Sequence, residues 1–303
     1  MEFRTLRAFV EVVRQGGFSQ AARTVFATQS AISKAVKQLE DEVGMPLLDR
    51  IGHRSTPTAA GEAVYRRGLR LLADRDDLMA ELAEIRGLKR GTLRLGLPPI
   101  GSSTLFAPLF AIYRQLYPGI DIRLVEHGSD RLEEILRAGE VDLAASLLPV
   151  ADEFEWLEMR SEPLVALVAH SHPLAAADRI GLGGLRDLPF LLFEQGFALN
   201  RILLEACRRH GFEPEVAARS SQIDFLVALA GAGVGVAFLP RLIAAQRPHP
   251  AVRAVPLDEA GTDWTMALIW RRGGYLSDAA RAWLAVARES RATAAMDEAD
   301  GKG

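Results

Sequence analysis

The sequence lacks the features that would set it apart from ordinary globular proteins. Its 303 residues include one cysteine, Cys207, so a disulfide within the chain is excluded. No stretch approaches the roughly 18 uninterrupted apolar residues of a membrane span, and residues 1–18 lack the basic and then apolar pattern of a secretory signal. With 49% hydrophobic and 25% charged residues, the composition predicts about two globular domains, and we expect a cytoplasmic protein.

The sequence also lacks an overall surplus of positive charge. Its 36 Lys and Arg against 39 Asp and Glu give a net charge of −3, which argues against a nucleic-acid-binding protein when the chain is taken whole. The charge is unevenly distributed, however. Residues 1–90 hold 15 basic and 12 acidic residues, a net of +3, whereas residues 91–303 hold 21 and 27, a net of −6. The acidity therefore belongs to the C-terminal part of the chain.

The hydrophobic pattern changes twice along the chain. Residues 1–58 contain short helical patterns, residues 59–88 contain one long helical pattern, and strands alternate with helices from residue 91 onward. The predicted strands are Thr92–Leu97, Asp121–Glu126, Val141–Leu148, Leu164–His170 and Thr265–Trp270, with helical stretches such as Leu105–Leu116 and Arg131–Ala138 between them. This alternation predicts an α/β region with mostly parallel sheets.

Two short helices near the N-terminus are predicted to form a helix-turn-helix. Ser19 is placed to cap the first helix and Thr28 to cap the second, and the turn between them is short enough to force a steep crossing. The small residues Ala21 and Ala22 would let the helices approach closely. At 100° per residue, one face of the second helix carries the apolar residues Ile32, Val36 and Leu39.

The opposite face of the second helix carries side chains that suit the major groove of DNA. Hydroxyl and amide groups can bond to base edges, and ammonium groups can reach phosphates. The candidates on this helix are Gln29, Ser30, Ser33, Lys34 and Lys37. A turn at residues 49–57 adds Arg50 and Arg54, which are placed to touch flanking phosphates as a wing. Any amphipathic helix has a polar face, so it is the combination with a basic wing that favours DNA binding.

The same part of the chain resembles the DNA-binding domain of the LysR-type transcriptional regulators. The similarity is carried by residues 21–22, 29–33, 39–40, 44–48 and 58–61, and it continues through residues 91–96 and 232–240. It implies a sequence-specific regulator that binds double-stranded DNA and is controlled by a small-molecule effector, with RNA polymerase as a further partner. It also implies an α-helix-dominated winged helix-turn-helix followed by a two-lobed α/β domain of the periplasmic-binding-protein type.

The resemblance divides the chain into four parts. They are a DNA-binding domain (residues 1–58), a linker helix for dimerisation (59–89), an effector-binding domain (90–292) and a flexible tail (293–303). Within the effector-binding domain, lobe I comprises about residues 91–161 and 267–291, and lobe II about residues 162–266. We expect the effector between the two lobes.

The long helix shows an apolar repeat of seven residues. Val64, Leu71, Leu78 and Ile85 form one row, and Tyr65, Leu72 and Met79 form an adjacent row. A repeat of this kind is buried by pairing with a second helix. The resemblance implies that linker helices pair in a homodimer and that regulatory domains complete a homotetramer. The alternative is that the apolar rows pack on their own chain.

The effector-contacting positions are carried over from the family. They are Ser102 or Ser103, Ser129, Gln195 and Ser221, which lie in loops that follow strands or open helices. Free N–H groups and helix dipoles favour anions at such places. Hydroxyls and an amide without an evident paired acid suggest a small organic acid, with Phe197 covering an apolar portion. The alternative for each serine is that it only caps a helix.

Other polar clusters are interpreted as structural. His170 and His172 lie beside a proline in a turn, and Cys207 and His210 share a helix, but neither pair has the further ligands of a metal site. The sequence contains neither GxSxG nor GxxxxGK[ST]. We therefore expect no catalytic residue, cofactor or metal. The alternative function is a solute-binding protein or an enzyme of two-lobed α/β fold with an incidental helical extension.

Overall fold

The computed structural model describes residues 1–51, 54–85 and 91–300, and the chain divides near residue 87 into two compact units. The N-terminal unit contains α1 (Phe3–Gln15), α2 (Phe18–Thr24), α3 (Gln29–Val43), β1 (Leu48–Ile51), β2 (Arg54–Pro57) and α4 (Ala59–Ile85). Strands β1 and β2 form an antiparallel hairpin. The predicted apolar face of α3 is confirmed, because Ile32, Val36 and Leu39 are all buried in the core of this unit.

Of the two predicted helix caps, one is confirmed and the other is wrong. Thr28 is confirmed as the N-cap of α3, since its hydroxyl accepts a hydrogen bond from the N–H of Ala31 at 3.2 Å. The prediction that Ser19 caps α2 is wrong. Helix α1 ends at Gly16, whose φ of +69° is left-handed, and α2 begins directly after Gly17. Ser19 therefore lies inside α2 instead of before it.

The C-terminal unit is built around two five-stranded sheets. The strands are β3 (Thr92–Leu97), β4 (Asp121–Glu126), β5 (Leu143–Leu147), β6 (Phe154–Glu162), β7 (Leu164–Ala169), β8 (Phe190–Phe193), β9 (Val216–Ser220), β10 (Val236–Pro240), β11 (Val252–Pro256) and β12 (Trp264–Arg271). The helices are α5 (Ala107–Leu116), α6 (Ser129–Arg137), α7 (Ala198–Arg209), α8 (Ile223–Gly231), α9 (Arg241–Ala245) and α10 (Asp278–Asp300). All five predicted strands are present, with β3 and β4 at the predicted bounds.

The prediction of mostly parallel sheets is wrong, because both sheets are mixed. The first sheet has the order β4-β3-β5-β12-β6 and the second the order β11-β7-β10-β8-β9. Strand β3 is parallel to β4 and β5, and β8 is parallel to β9 and β10, but β12 and β7 are antiparallel to both of their neighbours. Both antiparallel strands are entered from the other sheet, since β7 follows β6 of the first sheet through Pro163 and β12 follows β11 of the second, so neither is linked to a neighbour by the helical crossover that parallel pairing requires.

The chain leaves the first sheet at the end of β6 and returns to it at the start of β12, and these two strands lie side by side. Ser161 on β6 and Thr265 on β12 share a hydrogen bond of 2.8 Å between their hydroxyls. The whole of β12 belongs to the first sheet, so lobe I resumes at Trp264, before the expected residue 267. At the other end, α10 continues through residues 293–300, where we expected a frayed tail.

A close contact joins the returning strand to the loop after β3. Trp264, the first residue of β12, is completely buried, and a Cβ added at Gly101 would lie only 2.5 Å from its indole ring. Gly101 also has a φ of +91°, which residues with a side chain rarely adopt. Directly after it, Ser102–Phe106 form a π-helical turn that leads into α5. The loop can therefore take this position only with glycine at residue 101.

We predict that Gly101→Ala lowers the free energy of unfolding by about 2–4 kcal/mol, because the methyl group adds both a left-handed backbone strain and a clash with Trp264. Urea unfolding measured by tryptophan fluorescence checks this. Gly119→Ala is the matched control, since a Cβ at Gly119 meets nothing within 4 Å and its φ is not positive. An equal loss of unfolding free energy in Gly101→Ala and Gly119→Ala would contradict the close contact between Gly101 and Trp264.

Candidate functional site

The surface of α3 presents most of the predicted DNA-contacting side chains to solvent. Gln29, Ser30, Lys34 and Lys37 are exposed, and Ser33 is half-buried. The first turn is held in place by short polar contacts: the hydroxyls of Thr28 and Ser30 lie 3.1 Å apart, and the Ser19 hydroxyl donates to Oε1 of Gln29 at 3.3 Å. The helix therefore offers an ordered polar end with an amide at its first position.

Lys37 has a partner that the sequence reading missed. Its ammonium donates to Oδ1 of Asp41 at 2.6 Å, one turn further along α3, and both side chains are exposed. The spacing of four residues between a lysine and an aspartate was the available signal. Because both groups face water, the pair contributes little stability and can be exchanged for another partner at low cost.

The hairpin occupies the place that was predicted for the wing. Arg50 pairs with Ser55 and Ile51 with Arg54 across β1 and β2. Gly52 and His53, and the side chains of Arg50 and Arg54, lie outside the described part of the structure. The base of the hairpin is tied to α3, because Oε1 of Glu40 accepts hydrogen bonds from the N–H groups of Leu47 (2.8 Å) and Leu48 (3.3 Å). Helix α3 and the wing are thus held as one body.

The two apolar rows of α4 are each buried in part and exposed in part. Val64 of the first row and Tyr65 and Leu72 of the second pack in the core of the N-terminal unit, so the alternative of packing on the same chain holds for these three residues. The first row is exposed at Leu71 and at Leu78, and Met79 is exposed beside it, with 54% and 56% exposure for Leu78 and Met79. Leu82, also exposed, extends this surface. The side chain of Ile85 lies outside the described residues.

The two serines after β3 have different roles in the structure. The Ser102 hydroxyl donates to the carbonyl oxygen of Pro98 and so closes its own turn. Ser103 is exposed and lines an open cleft of about 590 Å³. The cleft is lined by Ser103, Asp224, Val227, Gln246, Arg247, Pro248 and His249. Of the six predicted effector-contacting residues, Ser103 alone is part of this lining.

The cleft lies between the two sheets and contains charged groups that the sequence reading missed. Next to it, the Thr104 hydroxyl on the side of the first sheet donates to Oε1 of Gln246 on the side of the second sheet, at 2.6 Å. Nε of Arg247 lies 3.2 Å from Oδ1 of Asp224, and the Arg247 side chain is 25% exposed whereas that of Asp224 is 89% exposed. Arg247 and His249 follow α9 closely, but nothing in the local pattern showed that they face Ser103.

Ser129 and the loop before α7 meet at a second contact between the sheets. Ser129 is buried at the start of α6, and the N–H of Asp130 donates to the carbonyl oxygen of Gly196 at 3.1 Å. Gln195 is exposed in this loop, whereas Phe197 is buried and stacks on Phe193 at 5.2 Å between ring centroids. Ser221 is exposed and precedes α8, whose first turn carries Asp224.

Buried Asn200 shapes the loop before α7 and was also missed by the sequence reading. Its amide nitrogen donates to the carbonyl oxygens of Phe193 and Glu194, both at 2.9 Å, and its oxygen accepts from the N–H of Phe193 at 3.1 Å. These bonds satisfy the hydrogen-bonding capacity of backbone groups at and just after the end of β8. The position of Gln195 therefore depends on Asn200.

His172 and Cys207, which belong to the pairs interpreted from the sequence as structural, lie in ordinary structural surroundings. Nδ1 of His172 accepts from the N–H of Leu174 at 3.2 Å, and Cys207 is buried, which raises the pKa of its thiol to about 11. Within residues 1–51, 54–85 and 91–300, no group of three or more His, Cys, Asp or Glu is placed to hold a metal ion. No helix in the same ranges is long and apolar enough to cross a membrane.

Known proteins match the chain over nearly its whole length. The family model of the LysR substrate binding domain matches residues 86–292, and that of the bacterial regulatory helix-turn-helix protein, lysR family, matches residues 3–62. The uncharacterized HTH-type transcriptional regulator YwbI of Bacillus subtilis (strain 168) is 34% identical over 285 residues, which cover 94% of this chain and 95% of that protein.

Solved structures of full-length regulators share the fold. A variant of full-length OxyR from Pseudomonas aeruginosa has a TM-score of 0.65 at 24% identity and covers 95% of each chain. Full-length CbnR complexed with its target DNA has a TM-score of 0.58 at 22% identity, covering 96% of this chain and 100% of that chain. Together with the two family models, which span most of the chain, these matches extend the similarity from the helix-turn-helix to α10. The chain therefore belongs to the LysR family of transcriptional regulators, with an N-terminal helix-turn-helix domain and a C-terminal substrate-binding domain.

Proposed function

We propose that this regulator reads DNA through α3 and the hairpin and responds to a small organic acid bound between its two sheets. The observation that carries the proposal is the exposed polar face of α3, opposite its buried apolar stripe, in a chain of this family. The CbnR structure with its target DNA supports the same use of the fold. A regulator must reach DNA, so we place it in the cytoplasm. The family consists of transcriptional regulators, which are not enzymes, so we propose no catalytic activity for this chain.

The side chains of α3 divide into base readers and phosphate contacts. Gln29 stands at the first position of the helix, where recognition helices contact base edges, and an amide can bond adenine through two hydrogen bonds. The hydroxyls of Ser30 and Ser33 add shorter polar contacts. Lys34, Lys37 and the wing residues Arg50 and Arg54 would bind phosphates. Binding by Lys37 replaces its partner Asp41 with a phosphate.

We predict that Gln29→Ala changes the preferred sequence, whereas Lys37→Ala weakens binding to all sequences and lowers the slope of log affinity against log salt by about 1. Asp41→Asn should have the opposite effect to Lys37→Ala, because it removes a negative charge beside the ammonium. Selection from a random DNA pool followed by titrations at several salt concentrations measures both effects. Equal losses on selected and random DNA for Gln29→Ala would contradict its role.

The cleft of Ser103 and Arg247 has the chemistry to bind a carboxylate. A guanidinium presents parallel N–H groups to the two oxygens of a carboxylate. Arg247 is held in the cleft, whereas its partner Asp224 is 89% exposed and can turn into water at low cost when a ligand carboxylate takes its place. The exposed Ser103 hydroxyl, on the side of the first sheet, would hold a second oxygen of the ligand.

The remaining predicted residues are proposed to adjust the same response. Ser129, Gln195 and Phe197 lie at the other contact between the sheets, and Ser221 precedes the helix that carries Asp224. Ser102 is used in its own turn, so between the two serines we assign the ligand contact to Ser103. A ligand that bridges the sheets stabilises one arrangement of the lobes, and it shifts the population toward this arrangement only if it binds it more tightly. RNA polymerase is a proposed reader of that change.

We predict that an organic acid found by thermal-shift screening of the full chain loses its effect in Arg247→Gln. At a ligand concentration of 100 times Kd the stabilisation is about 2.7 kcal/mol, which is a shift of a few degrees. Arg253→Gln is the control, because Arg253 is an exposed arginine on β11 of the same sheet. An acid that stabilises Arg247→Gln as strongly as the unchanged protein would refute the assigned contact.

We further propose a homodimer through α4 and a homotetramer through the C-terminal units. The exposed row at Leu71, Leu78 and Leu82 has the spacing of an interhelical seam. Apolar side chains are also exposed on an edge strand of each sheet and on or next to helices of the C-terminal unit. They are Ile112, Leu116 and Tyr117 on or next to α5, Leu124 on the edge strand β4, Val216 on the edge strand β9 and Phe225 on α8. Two separate apolar surfaces suit two kinds of interface in a closed assembly.

We predict that Leu78→Glu combined with Met79→Glu halves the molar mass of the assembly in solution, because charges cannot be buried in the seam. Size-exclusion chromatography with light scattering measures the mass. Arg66→Glu is the control, since Arg66 is exposed about 140° around α4 from Leu71. If the double variant keeps the mass of the unchanged protein, α4 is not the dimer interface.

A further inference from the structure

Phe26 combines an unusual backbone with an unusual exposure. It lies in the turn between α2 and α3, and its side chain is 99% exposed. Its φ of +53° is left-handed, and among the described residues it is the one non-glycine position with a positive φ. Asparagine and glycine adopt this conformation far more readily than a residue with an aromatic side chain. Neither backbone preference nor burial explains a phenylalanine here.

Backbone hydrogen bonds hold the turn in this conformation. The N–H of Phe26 donates to the carbonyl oxygen of Arg23 at 3.3 Å, and the N–H of Ala27 donates to that of Ala22 at 2.9 Å. These bonds close the end of α2 and involve only backbone atoms, so they do not require an aromatic side chain at position 26. The aromatic ring is therefore placed at a fixed point, three residues before Gln29, by a turn that does not need it.

The surroundings of Phe26 favour DNA over a protein partner. Its exposed neighbours along the chain are Arg23, Thr24, Ala27, Thr28 and Gln29, and all of them except the small Ala27 are polar or charged. An aromatic residue that anchors a protein interface normally sits at the centre of an apolar patch. A side chain next to the first turn of α3 instead adjoins the groups that would read the major groove, and a phenyl ring has one specific partner there, the 5-methyl group of thymine.

We propose that Phe26 is an additional DNA-contacting residue, which packs its ring against a thymine methyl at the edge of the site read by α3. The inference rests on the proposed DNA binding and adds to it a preference at one base pair. The contact removes apolar surface of both partners from water and needs no hydrogen bond. The turn supplies a rigid backbone, so little conformational entropy is lost on binding.

The first test compares Phe26→Asn with the unchanged full-length protein on a duplex that the unchanged protein selects from a random pool. We expect binding to weaken about threefold to tenfold, the equivalent of about one buried methylene or two. The midpoint of thermal unfolding should rise by about 2–4 °C, because asparagine adopts the left-handed backbone conformation at residue 26 with less strain than phenylalanine. Weaker binding with higher stability separates a DNA contact from a structural role.

Met45→Ala is the matched control for this comparison. Met45 is an exposed apolar residue of the same domain, beyond the opposite end of α3. We expect it to leave binding to the selected duplex unchanged. If Phe26→Asn binds the selected duplex as tightly as the unsubstituted protein does, Phe26 is not a DNA-contacting residue, but the DNA binding proposed for α3 stands. If the unchanged protein selects no duplex, both are overturned.

The second test removes only the methyl group by replacing single thymines of the duplex with deoxyuridine. Replacement of one particular thymine should lower the affinity of the unchanged protein for the duplex about threefold to tenfold. The same replacement should not alter the affinity of Phe26→Asn. Such non-additivity assigns the methyl to Phe26. If Phe26→Asn weakens binding but no replacement affects the unchanged protein, the ring contacts the sugar or backbone, and the thymine preference is refuted.

Discussion

The contact between Trp264 and Gly101 is the constraint on which the C-terminal unit depends. Trp264 begins the strand that returns the chain to the first sheet, and its buried indole leaves no room for a side chain at Gly101. The loop fixed in this way carries Ser103, which faces Arg247 and Asp224 across the cleft between the sheets. Because interiors are close-packed, a ligand bound to Ser103, as proposed, would also act on the strand that joins the lobes. The proposed binding residue and the crossing strand would thus respond together.

Both candidate sites hold a cation beside an exposed carboxylate. Lys37 pairs with Asp41 on α3, and Arg247 pairs with Asp224 in the cleft. An ion pair whose carboxylate faces water contributes little stability, and the carboxylate is readily exchanged. A phosphate or a ligand carboxylate can therefore take the place of the aspartate, while weaker anions compete with a partner that is already present. This arrangement also explains why a domain with a net charge of only +3 over residues 1–90 can present cations at the positions that would meet DNA.

Helix α4 serves two purposes on two of its faces. Tyr65 and Leu72 belong to the core of the DNA-binding unit, whereas Leu71 and Leu78 face solvent. The inner face makes the helix a part of the unit that carries α3, since Gly68 lets it approach Leu6 of α1 closely. A partner helix on the outer face would therefore set the position of α3 as well. Rigid connection of this kind is what allows a change in assembly to alter DNA contacts.

The sequence by itself determined the features that depend on near neighbours. The buried stripe of α3, the Thr28 cap and the strands Thr92–Leu97 and Asp121–Glu126 follow from local periodicity and capping chemistry, and all are present. The family could also be recognised, because its motifs are contiguous. Tertiary structure alone decided the mixed sheets, the division of the α4 rows and the meeting of Ser103 with Arg247, since each depends on chain segments far apart in sequence. Local patterns carry no record of which distant segment a side chain will face, and for that reason Arg247, Asn200 and the exposed ring of Phe26 emerged only from the folded chain.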